Sequence, residues 1–298
     1  MKETALKNRP LGNGTVKMRP VSGTTGIEIL DVDLREPLPE QSVSEILWAL
    51  GMWGAVFFRN QDLTPEQQIA FAKQFGPVEN STGPSNLGSV GGYPELNEIR
   101  RDPADARNPG GYWHSDQCFK KEPPLGTILY ARELPDRGGD TMFANMGAVC
   151  EQLSDGLMAS LRTMRAIHDR VLVYGRNGKY LPGITAEDYA ALQVKYAGVV
   201  ATQPVIVRHP ETGQEILFIN PVYTDRFEGW TREESQPLMH YLCDLATHPE
   251  NICRFRWEDG SLAFWDNRTA LHYAVDDYPG QARVMHRCVV RGPQLEPA

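Results

Sequence analysis

The chain has 298 residues and a mass of 33.4 kDa, enough to bury one large core. Its 30 Lys and Arg against 38 Asp and Glu leave a formal net charge of -8, which argues against a nucleic-acid partner but leaves room for a small anion held by a few pocket arginines. Cys118, Cys150, Cys243, Cys253 and Cys288 are odd in number, widely spaced and never C-x-x-C, so neither a disulfide framework nor a zinc knuckle is signalled and a reducing cytoplasm is expected.

The opening MKETALKNRPLGNGTVK has no apolar stretch, and no run of about 18 apolar residues follows, so neither export nor a membrane span is expected. Residues 1–18 read as a loosely held polar arm, followed by one domain over residues 19–298. From Glu28, EILDVDL alternates like a half-buried strand. SVSEILWALGMWG has helical spacing with Ser42 or Ser44 available as a cap, and AVFFRN reads as a buried strand. Thr64 opens a helix in which Pro65 takes the first position, Gln67 completes a capping box and Gly76 marks the exit.

Gly-, Pro-, Asn- and Ser-rich stretches near 81–109, and an irregular stretch near 175–203, predict two loop inserts. TILYARE and TMFANM predict strands joined by a hairpin turn at Gly138 and Gly139, and GAVCEQLSDGLMASLRTM predicts one amphipathic helix. From Val205 onward, VIVRH, EILFIN, CRFRW, SLAFWD and RVMHRCVV are short apolar runs separated by turns. Many short strands without regular βαβ alternation predict a mainly β fold, an antiparallel barrel or double sheet with flanking helices.

Within WHSDQCF, His114 and Asp116 are two apart, which on a strand would put both on one face. A second imidazole must then come from elsewhere, and WDNRTALH offers His272. Two histidines and one carboxylate fill one face of octahedral iron(II) and leave positions for a chelating co-substrate and dioxygen, whereas zinc favours a closed tetrahedron or three ligands and a water. After His272 the chain runs out, turns at Tyr278–Gly280 and returns, and alternation puts Arg283, Met285 and Arg287 on one face with His286 on the other. Two inward arginines left unpaired would cost several kcal/mol, so anions are expected beside them. Gln117 and Phe119, next to the ligand pair, are candidate pocket residues. His168 follows an apolar helix with no partner motif and reads as structural, while His209, His240 and His248 sit in polar or turn contexts and read as solvated.

WHSDQCF, GGDTMFA and AFWDNRTALHYAVDDYPGQARVMHR together resemble the signatures of the taurine dioxygenase and 2,4-dichlorophenoxyacetate dioxygenase family, over about Pro20–Arg291. The resemblance implies a double-stranded β-helix (jelly-roll) core and iron(II) held by His114, Asp116 and His272. It further implies that Thr141 and Arg283 bind the distal carboxylate of 2-oxoglutarate and that Arg287 lies near the substrate anion. Tyr223, in a segment similar to the aryloxyalkanoate members, would line the pocket. The implied reaction consumes O2 and 2-oxoglutarate, gives succinate and CO2, and hydroxylates a C–H bond of a small anionic substrate of the sulfonate, sulfate ester or aryloxyalkanoate type. Relatives suggest a homo-oligomer, dimer or tetramer. In ENSTGPSN and NPGGYWH no residue matches the His and Asn that help hold taurine in the taurine enzyme, so the resemblance does not extend to taurine itself. Readings from other classes are a non-catalytic jelly-roll binding protein and a zinc hydrolase on a cupin-like barrel.

Overall fold

A computed structural model describes residues 14–80, 89–105, 110–174 and 185–298. Residues 1–13 of the expected arm lie outside these, and Lys17 and Met18 already belong to the first strand. β1 (Lys17–Pro20) pairs antiparallel with β2 (Ile27–Leu30), and α1 (Glu40–Trp53) crosses to β3 (Ala55–Phe58), parallel to β2. Neither serine caps α1. The helix starts after Pro39, with Glu40 favourably placed in its first turn, and the Ser44 hydroxyl donates back to the Glu40 carbonyl at 3.0 Å. α2 (Pro65–Lys73) has the expected capping box, Gln67 N donating to Thr64 Oγ1 at 3.3 Å and Thr64 N to Gln67 Oε1 at 2.9 Å.

The principal sheet continues with β4 (Ser89–Val90), β5 (Tyr93–Arg101), β6 (Gly126–Glu133), β14 (Leu262–Asp266) and β16 (Arg283–Val290), in the order β1-β2-β3-β14-β6-β16-β5-β4. A second sheet has the order β13-β7-β15, made of β7 (Thr141–Asn145), β13 (Ile252–Phe255) and β15 (Ala270–Ala274). Outside these lie β8 (Arg165–Asp169), β9 (Val200–Pro204) and β12 (Thr224–Phe227) in one small sheet, and β10 (Ile206–Arg208) with β11 (Glu215–Leu217) in another.

The chain therefore changes sheets between β6 and β7, and again at each step from β14 to β15 to β16. The glycines at 138–139 and the turn at 278–280 are crossovers, not the hairpins expected from sequence. The apolar faces explain this: Phe57, Leu129, Ala263, Trp265 and Met285 of the large sheet share one buried cluster with Phe143, Phe255 and Ala270 of the small one. Phe57 stacks on Phe255 at 4.1 Å between ring centroids. A hairpin would put both strands in one sheet and leave such a face uncovered.

Three local readings are corrected. Within 81–109, YPELNEIRR is strand β5, bound along β16; 81–88 and 106–109 lie outside the described residues. Within 175–203, α5 (Ala186–Tyr196) is capped by Thr185, with 175–184 outside the described residues. The single helix expected after β7 is two: α3 (Met146–Gln152), capped by Asn145, and α4 (Asp155–Leu161), capped by Ser154, because a second cap inside the amphipathic run satisfies a second set of N–H groups. α6 (Arg232–Ala246) lies beyond the elements inferred from sequence, although its Thr231/Glu234 capping box is the signal that marks α2. All five cysteines are free and buried, and among the described residues no helix is long and apolar enough to cross a membrane.

Candidate metal and co-substrate site

β15 carries His272, and His114 forms an isolated antiparallel bridge to it: His114 N donates to His272 O at 3.0 Å and His272 N to His114 O at 2.7 Å. The strand expected for the His-x-Asp pair ends at that bridge. Asp116 opens a turn through Phe119 in which Gln117 takes a left-handed φ of 55°, closed by Lys120 N donating to Gln117 O at 3.0 Å. Ser115 is buried and its hydroxyl accepts from Asn220 Nδ2 at 3.2 Å. The result still brings one donor atom from each of His114, Asp116 and His272 within 4.8 Å of one another, with His114 Nε2 3.9 Å from Asp116 Oδ1.

Protonation states follow from the surroundings. His114 Nδ1 sits 2.8 Å from the Tyr112 carbonyl, which can only accept, so the proton is on Nδ1 and the Nε2 lone pair is free. Burial pushes both imidazoles below the usual histidine range, and the His114 ring pushes His272 further. Burial alone would raise the Asp116 carboxyl, but the Arg287 guanidinium and the two imidazoles outweigh it and hold the group ionised. Asp116 Oδ2 takes Arg287 Nη2 at 2.9 Å and the Thr127 hydroxyl at 2.7 Å, leaving Oδ1 on the His114 side. Thr127 in turn accepts from Asn267 Nδ2 at 2.9 Å, and Asn267 Oδ1 accepts from Trp265 Nε1 at 3.1 Å. Two neutral imidazoles and an ionised carboxylate are the forms a divalent metal needs, and His272 Nδ1 is buried with no hydrogen-bond partner among the described residues. Donors of this type fit iron(II) with open positions.

Arg283 is buried, and its Nε and Nη2 have no hydrogen-bond partner among the described residues. Its guanidinium carbon is 5.6 Å from the Trp257 ring centre, and Trp257 Nε1 donates to Thr141 Oγ1 at 3.0 Å. Gly139, at φ 70°, lets the chain pass close: a Cβ there would lie 3.3 Å from Arg283 Cδ. Burial lowers the pKa of Arg283 against the opposing pull of Tyr278 and Asp140. A buried cation with bare N–H groups is costly unless an anion joins it.

The other candidates are placed as follows. Phe119 packs edge-on against Tyr223 at 5.1 Å, with the Arg170 guanidinium 5.3 Å over the Phe119 ring. The Gln117 amide donates to Glu79 Oε2 at 3.3 Å. His168 is fully buried, pushed down to about 3 by burial, and within 3.2 Å of the Thr224 hydroxyl, a neutral packing histidine. His240 and His248 are exposed. His209 corrects the expectation of solvation: it is 1% exposed, with Nε2 3.0 Å from Asp266 Oδ2 and Nδ1 3.2 Å from Glu211 Oε2. The turn after β14 brings Asp266 and Arg268 under it and partners Nε2 of an imidazole that the H-P-E-T-G context alone would leave in water, while Nδ1 makes no hydrogen bond among the described residues. Sequence reasoning did not single out Thr127, Trp257 or Asn267. Asn267 stands inside the WDNR run and could have been suspected there; Thr127 and Trp257 carry no local signal.

Residues 17–289 match the family model described as "Taurine catabolism dioxygenase TauD, TfdA family". The chain is 33% identical to the alpha-ketoglutarate-dependent sulfate ester dioxygenase of Pseudomonas putida, covering 92% of this chain and 89% of that one. It is 35% identical to the alpha-ketoglutarate-dependent 2,4-dichlorophenoxyacetate dioxygenase of Cupriavidus pinatubonensis, covering 83% and 87%. Among solved structures, a taurine dioxygenase from Burkholderia xenovorans superposes with a TM-score of 0.75 at 33% identity, covering 94% of this chain and 90% of that one. AAD-2, solved in complex with Mn(II) and N-oxalylglycine, superposes with a TM-score of 0.76 at 26% identity, covering 94% and 100%.

Proposed function

Since the chain belongs to the taurine catabolism dioxygenase TauD, TfdA family and is a non-haem dioxygenase dependent on iron(II), 2-oxoglutarate and O2, we propose that His114, Asp116 and His272 hold its metal and that Arg283 and Thr141 hold its co-substrate. The observation that carries this reading is the buried Arg283 guanidinium, bare at Nε and Nη2 among the described residues and 5.6 Å from the ring of Trp257, which bonds Thr141, two positions along β7 from the cross-strand partner of His272. Residues 19–298 act as one dioxygenase domain. The alternation of β6, β7 and β13 to β16 between two facing sheets supports a double-stranded β-helix as its core.

When bound, iron(II) with 2-oxoglutarate and O2 supplies oxidative decarboxylation to succinate and CO2 and the hydroxylation of a substrate C–H bond. The chain's residues do the rest. Thr127 and Arg287 occupy Asp116 Oδ2, which turns Oδ1 toward the ligand position. The Tyr112 carbonyl fixes the His114 tautomer. Trp265 and Phe143 pack their rings 4.6 Å and 6.4 Å from the His272 ring and keep water from that side. Arg283 and Thr141 anchor the distal carboxylate, the planar guanidinium offering two parallel donors.

Arg287 meets the substrate anion, and Tyr223 and Phe119, with Gln117, border the substrate space. Relatives named for sulfate esters and for 2,4-dichlorophenoxyacetate, together with Arg287, favour a sulfonate, sulfate ester or aryloxyalkanoate. Residues 81–86 of the ENSTGPSN stretch, where a taurine-binding His is wanting, lie outside the described residues. Five free, buried thiols support a reducing cytoplasm, and an assembly of two or four copies is checked by sedimentation.

The test is 2-oxoglutarate-dependent succinate formation with a panel of such anions and iron(II), set beside Asp116→Ala. We expect that variant to fold, to lose stoichiometric iron, and to lose activity by about a thousandfold or more. Full activity in it, or turnover with zinc and no oxygen uptake, would sink the assignment.

A further inference from the structure

Arg283 has a neighbour of the same charge. Arg283 on β16 and Arg101 at the end of β5 are cross-strand partners, so both side chains leave the sheet on one face. Like charges placed opposite repel, and each needs its own compensation. Arg101 has it: its Nη1 is ion-paired with Asp276, and its guanidinium carbon sits 4.5 Å over the Tyr278 ring. The Gly138–Gly139 turn lies between the crossover that carries Tyr278 and Arg283: Gly139 N is bonded to Asp277, and a Cβ on Gly139 would come within 3.3 Å of Arg283 Cδ. Tyr278 is 2% exposed and belongs to the crossover from β15 to β16.

That crossover is fastened by polar contacts. Val275 N donates to Asp140 O at 2.9 Å, Gly139 N to Asp277 Oδ1 at 2.8 Å, and Arg254 Nη2 to Asp277 Oδ2 at 2.8 Å. Gly138, at φ 77°, allows the close approach, since a Cβ there would lie 2.4 Å from Asp277 Oδ1. A buried phenol whose ring lies under the Arg101 guanidinium still has a hydroxyl proton to donate. Arg283, the cross-strand partner of Arg101, is the cation whose Nε and Nη2 have no partner among the described residues.

We propose that Tyr278 closes the distal end of the co-substrate pocket and donates its hydroxyl proton to the same carboxylate that Arg283 binds, with Arg101 and Asp276 as positioning residues for the ring. The inference rests on the assignment of Arg283 and Thr141 to the distal carboxylate. It makes Tyr278 a determinant of co-substrate length: the five-carbon 2-oxo diacid ends at the phenol, and its six-carbon homologue meets the ring.

Calorimetric titration of 2-oxoglutarate into the Mn(II)-loaded protein tests this without turnover. Tyr278→Phe binds about tenfold more weakly, with Mn(II) affinity and thermal midpoint unchanged. Arg101→Gln is weakened as well, and the double variant is no weaker than Tyr278→Phe within about twofold, because Arg101 acts through the phenol. Tyr278→Leu raises the affinity for 2-oxoadipate relative to 2-oxoglutarate. Arg283→Gln separates the two readings. If it binds 2-oxoglutarate as the native protein does, the underlying assignment falls. If it loses binding while Tyr278→Phe does not, the role of Tyr278 alone is overturned.

Discussion

Two arginines of this chain are buried within a short stretch of sequence, and they live in opposite ways. Arg268, 3% exposed, gives Nε to Asp266 Oδ1 at 2.9 Å and Nη2 to Asp266 Oδ2 at 2.6 Å and Glu211 Oε2 at 3.1 Å, its Nη1 finding no partner among the described residues, and its pKa is raised because the carboxylates outweigh burial. Arg283, 7% exposed, leaves Nε and Nη2 bare, and burial lowers its pKa. The first closes a polar cluster under the turn that leads to His272; the second has no carboxylate partner among the described residues, as the proposed co-substrate site requires. Neither burial of a charge nor one bare nitrogen, such as Arg268 Nη1, therefore marks function by itself; a guanidinium without a carboxylate partner among the described residues is the sharper sign.

The comparison can be broken by substitution. Arg268→Met removes the cation from Asp266, which is fully buried, and is expected to cost about 3–5 kcal/mol in urea unfolding. A cost under about 1 kcal/mol would show that the cluster is not what secures the turn. Arg283→Met is expected to weaken 2-oxoglutarate about a hundredfold, about 2.7 kcal/mol, while leaving unfolding unchanged or slightly more costly, since a bare buried charge is removed. Loss of stability instead would make Arg283 another structural arginine.

A smaller, pH-dependent effect sharpens the contrast with a neutral group. His168 has no ionic partner and is pushed to about 3 when folded, against the usual 6.5 when unfolded. Between those values the unfolded chain binds the extra proton, so stability is full above about pH 6.5 and falls by about 1.4 kcal/mol per pH unit as pH drops toward 3. His168→Asn should flatten that part of the stability profile, and an unchanged slope would assign it to other groups.

What could be read in the sequence, and what could not, divides along physical lines. Ligand chemistry is local: His-x-Asp and a distant His, or alternating arginines on a returning strand, are visible as residue types at fixed spacing. Capping is local too, which is why α2 was legible, and α6 carries the same signal in Thr231 and Glu234. Sheet membership is not local. The glycines at 138–139 look like a hairpin until the two apolar faces that must cover each other are known. β5 hides among Gly and Pro because its order comes from pairing with β16. Thr127, which holds Asp116, is an ordinary strand threonine until the turn at Gln117 aims the carboxylate at it.

The mutual backbone bridge between His114 and His272 also has a meaning for synthesis. A growing chain that has emitted His114 and Asp116 owns two of the three donors but neither β15 nor the hydrogen bonds that hold His114 in place. On the proposed donor set, a chain cut short before β15 would not retain the metal, so metal capture would report that the C-terminal strands have been made and docked.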